Sequence, residues 1–462
     1  MTACTRSAVS MLTDFFASDD IEATARRTGF VKRASNITGK LFLALVTFGS
    51  WSDANTTLAQ LAAKVTPLGA PREVSPEAIH QRMNKGALTF LQDMIRQALA
   101  QIQSLEHVCE EGLFTDFTRV YLADSTGFAL PDSLHDLFPG SGGSATTAGA
   151  KIQAVWDYKS SVFGHFALTP WNIPDQTYVD TVVALAHQGI LFLFDLGYVK
   201  IKAFARIAAA GAYFLSRLNH QTTLLHTAAG HLQPLELASF LHTVVGHSTE
   251  HPIFLGAKDQ VACRLVAYRI PEPIVNARRR IAKKKAKKKG YTPSKAHLAL
   301  LAWNLFITNV PHTLWKTETI RKVYPMRWQI ELIFKSWKSS LHLASIKTKK
   351  EDSTLCYLYG RMLLVLLNSA LCPQMRAPLW VKKQRELSVL KLVRHFQALA
   401  ERWLQVIFQS ELALRRFLPR ACATAERLVG KASRKRPTTA QILRESLAKQ
   451  DETIEFREVV NA

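Results

Sequence analysis

Two short apolar segments, each followed by an aspartate, constrain the fold of this chain more than any other feature. In "VYLADST" the run Val120–Ala123 precedes Asp124, and in "LFLFDLG" the run "ILFLF" precedes Asp195. Runs of this length are typical of strands buried on both faces, and helical stretches flank them, so the pattern indicates a mixed α/β layer. A carboxylate at the edge of a buried sheet is unfavourable unless a cation shares its surroundings. The two aspartates are therefore candidates for a shared cationic site.

The rest of the chain divides by its hydrophobic period. "AKIQAVWDY" and "VFGHFALTP" predict a hairpin, "AFARIAAAG" predicts a helix, and "LALLAWNLFITNV" predicts a strand. We expect an α/β protein of five segments: a helical N-terminal DNA-binding domain (1–115), the first part of an α/β core (116–215), a β-rich insertion with a basic helix (216–310), a core helix (311–345) and a helical C-terminal region (346–462).

The N-terminal segment contains a candidate helix-turn-helix. Ser75 is a good N-cap with Pro76 at the first helical position. A single helix from there presents His80, Gln81, Arg82 and Lys85 early, as a DNA-reading helix does. The alternative is an ordinary helical hairpin of a small bundle.

Charge is where the composition departs from an ordinary globular protein. Fifty-nine Lys and Arg against 36 Asp and Glu leave a net charge of +23, which predicts attraction to a polyanion such as nucleic acid. The apolar runs "LFLALVTF" and "MLLVLLNSAL" are shorter than the roughly 18 residues of a membrane span, so we expect no membrane partner. Six scattered cysteines without a CxxC pair favour reduced thiols and exclude a convincing zinc site. We expect a cytoplasmic protein associated with the nucleoid.

One run of basic residues is the densest in the chain. Arg278–Lys289 holds nine cations in twelve residues. Such a run is either a solvated helix or an arm that follows DNA phosphates, and the sequence leaves both interpretations open.

The stretch "VYPMRWQIELIFKSWKSSLHL" predicts an amphipathic helix. Its polar residues recur at gaps of three or four, and its apolar residues fill a neighbouring arc of ordinary width. Pro325 suits the first helical position, which predicts that Tyr324 lies outside the helix in extended geometry. The cationic arc comprises Arg327, Glu331, Lys335, Lys338 and His342, and the apolar arc comprises Ile330, Ile333, Phe334, Trp337 and Leu341. Taken alone, the polar arc is equally consistent with a solvated face of ion pairs.

Two strand-end aspartates and a glutamate on a cationic helix together predict a divalent-metal site. Mg²⁺ prefers oxygen ligands and a few carboxylates, and two such ions about 4 Å apart can cleave a phosphodiester. Asp132 and Asp157 are weaker rivals, because neither follows so apolar a strand. Ser125 and Thr126 either orient the first ligand or only shape a turn.

Four of these residues carry a family resemblance. Tyr324, Arg327, Glu331 and Lys338 match the Y-(2)-R-(3)-E-(6)-K signature of bacterial insertion-sequence transposases of the insertion-sequence-4 type. "YLADST", "FLFDLGY" and "LFITNVP" are similar to further family motifs. The resemblance implies a ribonuclease H-like catalytic core, a mixed sheet with flanking helices, that carries a β-rich insertion.

The resemblance also implies roles for residues. It assigns Asp124, Asp195 and Glu331 to catalysis and to two Mg²⁺ ions, for which Mn²⁺ can substitute. It assigns Tyr324, Arg327 and Lys338 to the transposon-end DNA, and Lys335 shares their arc. Trp303 precedes the signature where a related enzyme places an aromatic side chain on a flipped base. Trp315 and Trp328 are alternatives for that role, and core packing is the simpler explanation for any of the three.

The sequence therefore predicts a DDE transposase. We expect it to cut the terminal inverted repeats of its element and to transfer the exposed 3′-hydroxyl into target DNA, as a homodimer in a synaptic complex. Two rivals remain: a DNA-binding regulator without catalysis, and a ribonuclease H-like nuclease that hydrolyses DNA without strand transfer.

Overall fold

The structure is a computed structural model that describes residues 3–17, 19–53, 55–68, 73–105, 112–141, 147–198, 200–342, 346, 348, 350–383 and 385–431. Its helices are α1 (Ala3–Ala17), α2 (Asp20–Arg27), α3 (Gly39–Ala44), α4 (Leu58–Ala63), α5 (Pro76–Arg82), α6 (Lys85–Gln103), α7 (Val179–Val183), α8 (Ile201–Ala209), α9 (Leu237–Thr243), α10 (Glu272–Lys288), α11 (Lys295–Leu300), α12 (Thr317–Val323), α13 (Trp328–Ser340), α14 (Glu351–Lys383), α15 (Val389–Ala398), α16 (Ala400–Gln409) and α17 (Glu411–Leu428). Its strands are β1 (Arg119–Leu130), β2 (Ala148–Asp157), β3 (Phe163–Pro170), β4 (Ile190–Phe194), β5 (Tyr213–Arg217), β6 (Leu224–Ala228), β7 (His231–Pro234), β8 (Ser248–Leu255), β9 (Val261–Arg269) and β10 (Trp303–Thr308).

The chain forms two compact units. Among the described residues, the first comprises those within 3–105, 125–173 and 329–431, and the second comprises those within 112–124 and 174–328. These bounds differ from the five segments expected from the sequence, whose functional meaning stays a prediction. The mixed α/β class is confirmed.

The second unit is built on a mixed sheet. Its strands follow the order β1-β4-β5-β10-β9-β8-β6-β7, to which β1 contributes its first half. The first three strands are parallel, and the remaining neighbours are antiparallel. The apolar residues of β4 are all buried, as its sequence predicted. Because the carboxyl ends of parallel strands meet at one edge, this part of the sheet determines where the aspartates lie.

Helices dominate the first unit. The long helix α14 packs along α6, where the Tyr359 hydroxyl accepts a 2.8 Å hydrogen bond from the Gln92 amide. A short π-helix, Leu45–Gly49, also contacts α14. A Cβ at Gly360 would lie 2.3 Å from the Val46 carbonyl oxygen, so only glycine permits this close approach.

The predicted hairpin is confirmed in the first unit as β2 and β3, which pair antiparallel from Ala150 opposite Pro170 to Trp156 opposite Phe163. Helix α13 packs on it: the Trp337 ring lies 5.5 Å from the ring of Phe163. The whole apolar arc predicted for α13 is buried, as expected.

One helix prediction and two strand predictions were wrong in their bounds. The helix expected to run on from Ser75 breaks at Met83, and Asn84 caps a second helix, α6. "LALLAWNLFITNV" is divided between α11 and β10. Strand β1 continues past Asp124 to Leu130, because alternate residues beyond the aspartate are buried and extend its two-residue period.

One segment of the described chain, Glu351–Arg376 in α14, is long and apolar enough by composition to span a membrane. Almost all of that segment is buried inside the protein, as in the core helix of a globular fold.

Four cysteines whose side chains the structure describes, Cys263, Cys356, Cys372 and Cys422, are free thiols.

Candidate functional site

Asp124 and Asp195 lie next to each other in the second unit. Strands β1 and β4 pair in parallel with Leu122 opposite Leu193, so two residues further on Asp124 comes opposite Asp195. Neighbouring strands are about 4.8 Å apart, which brings the two carboxylates to one edge of the sheet. The sequence predicted that both aspartates follow buried strands and share a site; that the two strands are neighbours is a finding of the structure.

One guanidinium group joins the two carboxylates. Arg327 Nη1 lies 3.3 Å from Asp124 Oδ2, and Arg327 Nε lies 4.0 Å from Asp195 Oδ1. The Arg327 side chain is only 12% exposed, whereas those of Asp124 and Asp195 are 19% and 44% exposed. The charges of these two half-buried acids are thus partly neutralised by a largely buried cation, as acids at the edge of a buried sheet require.

Tyr324 bonds to the backbone at the same edge of the sheet. It is 8% exposed, and its hydroxyl donates a 3.2 Å hydrogen bond to the carbonyl oxygen of Phe194, the residue before Asp195. Burial raises the pKa of Tyr324 to about 12, and the Asp195 charge adds to this, so the hydroxyl keeps its proton. Its backbone is helical (φ −54°, ψ −37°), contrary to the extended geometry expected, because α12 continues directly into a 3₁₀ turn, Tyr324–Arg327.

Sequence analysis missed two residues at this edge. Strand β5 pairs in parallel with β4, with Phe194 opposite Ser216, so Arg217 comes opposite Asp195. The Arg217 guanidinium lies 5.8 Å from the centre of the Tyr324 ring. "YFLSR" has the same form as the aspartate motifs, an apolar strand that ends in a charge, and this signal could have identified Arg217. Tyr198 is the second: burial raises its pKa, and the charges of nearby aspartates raise it further.

A partly buried ion cluster fixes the segment that leads to the signature. Glu250 on β8 pairs with Arg264 on β9 at 2.7 Å and accepts a 2.7 Å hydrogen bond from Thr317 at the start of α12. Arg264 also donates to the carbonyl oxygens of Val310 and Trp315. These bonds tie residues 310–317 to the sheet, and so determine where the turn that carries Tyr324 and Arg327 begins.

Glu331, Lys335 and Lys338 lie on α13, in the first unit from residue 329 onward. Glu331 is partly exposed, in the first turn of the helix, and both lysines are exposed. Desolvation lowers the pKa of Lys338. The helix ends at Ser340, and His342 has a left-handed backbone (φ 51°), so His342 lies outside the helical arc on which the sequence placed it.

The three tryptophans differ in their surroundings. Trp303 is 7% exposed, and the Arg269 guanidinium lies 4.8 Å from the centre of its ring. The role of Trp303 at DNA stays a prediction. Trp315 is a core residue whose indole nitrogen donates to the Leu113 carbonyl. Trp328 is 47% exposed.

The rival aspartates have structural contacts. Asp157 is 1% exposed and accepts hydrogen bonds from the Ser160 hydroxyl and the Lys159 backbone, which closes the turn between β2 and β3. Asp132 begins a short 3₁₀ turn. Of the residues that follow Asp124, Ser125 is partly exposed and Thr126 is buried.

The basic run forms most of α10, and its cations divide into two groups. Arg278 donates to Asn304, and Arg279 donates to the Leu298 carbonyl, so both point inward. The other seven cations are exposed: Arg280, Lys283, Lys284, Lys285, Lys287, Lys288 and Lys289. Seven outward charges on one short helix form a strongly positive surface.

The N-terminal helices α4 and α5 pack together, and the Ser75 hydroxyl accepts a hydrogen bond from Ala78 N as the predicted N-cap. Arg82, expected to face DNA, instead donates to the Phe30 carbonyl at 2.9 Å, with its guanidinium over the Phe30 ring. Lys85 belongs to the next helix. The four residues expected to face DNA from a single helix, His80, Gln81, Arg82 and Lys85, are therefore not presented together.

The aspartate pair fits a divalent cation in the chemistry of its donors. Carboxylate oxygens are the ligands that Mg²⁺ and Mn²⁺ prefer, and both carboxylates already face one positive group. Within the ranges that the structure describes, no group of three or more His, Cys, Asp or Glu side chains could hold a metal ion. The set of three carboxylates stays a prediction.

Comparisons with known proteins agree with the sequence motifs. The family described as "Transposase DDE domain" matches residues 115–367, more than half of the chain. The chain is 28% identical over 404 residues to the transposase for insertion sequence element IS231F of Bacillus thuringiensis subsp. israelensis, covering 84% of both proteins. It is 27% identical over 448 residues to the transposase for insertion sequence element IS1151 of Clostridium perfringens, covering 92% of this chain and 93% of that protein. The cryo-EM structure of a piggyBac transposase synaptic complex with hairpin DNA aligns with a TM-score of 0.47 and 10% identity over 94% of this chain and 87% of that one.

Proposed function

Since the chain belongs to the family of transposases with a DDE domain and is an enzyme of DNA transposition, we propose that Asp124, Asp195 and Glu331 are its catalytic carboxylates. The reaction is Mg²⁺-dependent cleavage at the terminal inverted repeats, followed by cut-and-paste transfer into target DNA. The observation that supports it is the register of β1 and β4, which sets two aspartates side by side around one cation. For Glu331 the support is the sequence motif alone.

The chemistry is two successive phosphoryl transfers. In the first, a water oxygen attacks the phosphorus at the element's end and the 3′-oxygen leaves, which exposes a 3′-hydroxyl. In the second, that hydroxyl attacks a phosphodiester of the target, so one phosphodiester bond forms as another breaks. A divalent ion held by the carboxylates would activate the attacking oxygen and stabilise the leaving oxygen. The family resemblance implies two such ions.

Arg327 acts as the counter-ion of the aspartate pair. Two carboxylates on adjacent strands repel each other, and the guanidinium that contacts both keeps them convergent. Tyr324 positions Asp195 through the carbonyl of Phe194. Both signature residues are thus positioning residues in this conformation, and their contact with transposon-end DNA remains the family's implication.

Exposed cations of both units would hold the DNA. Arg217 is exposed beside Asp195 in register, where it can receive a phosphate. Lys335 and Lys338 are the exposed cations of α13, and the seven outward cations of α10 give a second surface. Trp303 is proposed as an aromatic contact at the DNA end. The functional form is a homodimer in a synaptic complex with both element ends.

The finer assignments follow from the same motifs. The core is of the ribonuclease H type with a β-rich insertion, and the transposase is of the insertion-sequence-4 type. The parallel strands β1, β4 and β5 with β10 antiparallel beside them support such a core. The protein acts on DNA in the cytoplasm, at the nucleoid.

Labelled end DNA with a target plasmid tests the proposal. Asp124→Asn, Asp195→Asn and Glu331→Gln should each abolish cleavage while end binding stays within about twofold, because the amide keeps the size and removes the charge. Asp180→Asn is the matched control: its carboxylate is also paired with cations, Lys200 and Arg206, but on α7. Near wild-type cleavage in any of the three variants removes that residue from the site.

The same assay separates the rivals. A DNA-binding regulator would retard end DNA without metal-dependent nicking. A nuclease without strand transfer would nick the ends and leave the target plasmid unjoined.

A further inference from the structure

A cavity of about 330 Å³ lies within the first unit, at the start of helix α14. Its lining includes Thr56, His80, Thr348, Ser353 and Arg361. This volume is at the lower end of the range for small-ligand pockets. Neither the catalytic carboxylates nor the signature residues line it.

Arg361 carries a buried charge into this cavity. It is 5% exposed, and burial lowers its pKa to about 10, which leaves it cationic at neutral pH. Its Nη1 donates to the His342 carbonyl oxygen. Among the described residues no carboxylate lies within ion-pair distance of Arg361. A buried guanidinium with five donors and no anion is unfavourable, so the site lacks a negative partner.

Ser353 supplies a second, independent sign of a ligand. It is 2% exposed, lines the cavity, and its hydroxyl has no hydrogen-bond partner among the described residues. It lies in the first turn of α14, where backbone N–H groups have no partner within the helix and the helix dipole favours an anion. Native proteins rarely leave such a hydroxyl unsatisfied, which indicates that an acceptor joins it.

One acidic residue, Asp53, also lines the cavity. Its carboxylate accepts a 2.9 Å hydrogen bond from the backbone N–H of Asn55. The negative charge of Asp53 repels an anion in the cavity and lowers the affinity of the cavity for it. A substitution that removes this charge therefore tests whether an anion binds there.

We propose that this cavity binds a phosphate group, with Arg361 as the charged donor and Ser353 as the hydroxyl donor. Arg recognises phosphate through paired N–H donors, and hydroxyls and helix N-termini complete such sites. The phosphate is either that of a DNA strand, a source that rests on the proposed function, or that of a free nucleotide.

Calorimetric titration of the full-length protein with inorganic phosphate, with a deoxynucleoside monophosphate and with a short oligonucleotide tests the inference. EDTA and physiological salt are present throughout, so that neither metal binding nor cleavage is involved. Ser353→Ala should weaken phosphate binding about tenfold, the usual effect of losing one hydrogen bond to a charged group. Asp53→Asn should strengthen it, because it removes the repelling charge.

The controls distinguish this site from general attraction to a basic protein. Ser369→Ala, in the same helix but with a hydroxyl bonded to the Leu366 carbonyl, should leave phosphate affinity unchanged. Ser353→Ala removes an unpartnered hydroxyl, so its unfolding temperature should not fall. Weakening of oligonucleotide binding together with phosphate binding identifies the DNA backbone as the source, and weakening of the free ligands alone identifies a nucleotide. Identical affinities for all three probes in Ser353→Ala, Asp53→Asn and the unsubstituted protein would overturn the inference.

Discussion

Replacing Arg327 by methionine should make the protein bind divalent ions more tightly, although it removes a residue of the signature. Methionine keeps a long, flexible side chain and removes the charge. The Arg327 guanidinium lies between the carboxylates of Asp124 and Asp195, where a positive charge is stabilised by both. A metal ion that takes the same oxygens must displace it.

The size of the effect follows from the two distances. At 3.3 Å, the Arg327–Asp124 separation, two unit charges attract by about 1.3 kcal/mol in water and about 5 kcal/mol at an effective dielectric constant of 20. At 4.0 Å, the Arg327–Asp195 separation, the value in water is about 1.0 kcal/mol. Because Asp195 is 44% exposed, solvent screens these charges and the values in water apply. Together they amount to about 2.3 kcal/mol, or about fiftyfold in the dissociation constant.

The assay is titration of the full-length protein with Mn²⁺, in which electron paramagnetic resonance reports the free ion. Arg327→Met should bind Mn²⁺ about fiftyfold more tightly than the unsubstituted protein, and Asp124→Asn in the same background should abolish the gain. Arg206→Met, which also removes an arginine from an aspartate of the same unit, should change nothing. Unchanged or weaker Mn²⁺ binding in Arg327→Met would refute the view that this guanidinium occupies the cation position.

Three further predictions concern Tyr324, the two lysines of α13 and the exposed cations of α10. Tyr324→Phe removes one buried hydrogen bond of about 1 kcal/mol, so single-turnover cleavage should slow by about fivefold at unchanged end affinity; an equal loss of affinity would mark the tyrosine as a DNA contact. Lys338→Ala should slow cleavage far more than it weakens binding, whereas Lys335→Ala should do neither strongly, and equal small effects would make the signature lysine an ordinary surface cation. Replacing the exposed cations of 280–289 with Gln should flatten the salt dependence of duplex binding by about 0.9 in log–log slope per lost phosphate contact, and an unchanged slope would mean that the helix is only solvated.

The sequence predicted those features of the site that depend on short apolar patterns. Strand β4 was predictable as a buried strand, and Asp124 and Asp195 were predictable as the charged residues that follow two such strands, whereas the pairing of β1 with β4 was not. The alternation of Thr126, Phe128 and Leu130 is a signal that β1 continues beyond Asp124. The sequence analysis ended the strand too early because the aspartate interrupts the apolar run.

Contacts between distant parts of the chain were not predictable. The Tyr324 hydroxyl bonds to a carbonyl 130 residues earlier, and the Arg264 cluster joins two strands to a loop nearly fifty residues further on. Local periodicity contains no information about such pairs. The same limit explains Arg82, whose helical position predicted exposure but whose partner, Phe30, lies 52 residues away.

The most direct test of the catalytic assignment exchanges the ligand chemistry at Asp195. A thiolate is a soft ligand that Mg²⁺ binds poorly and Mn²⁺ accepts more readily. Asp195→Cys should therefore lose single-turnover cleavage of the labelled terminal repeat in Mg²⁺ and recover a substantial part of it in Mn²⁺, with end binding unchanged in both ions. Cleavage by Asp195→Cys in Mg²⁺ as fast as that of the unsubstituted protein would contradict the assignment, because the carboxylate would then have no part in holding the ion.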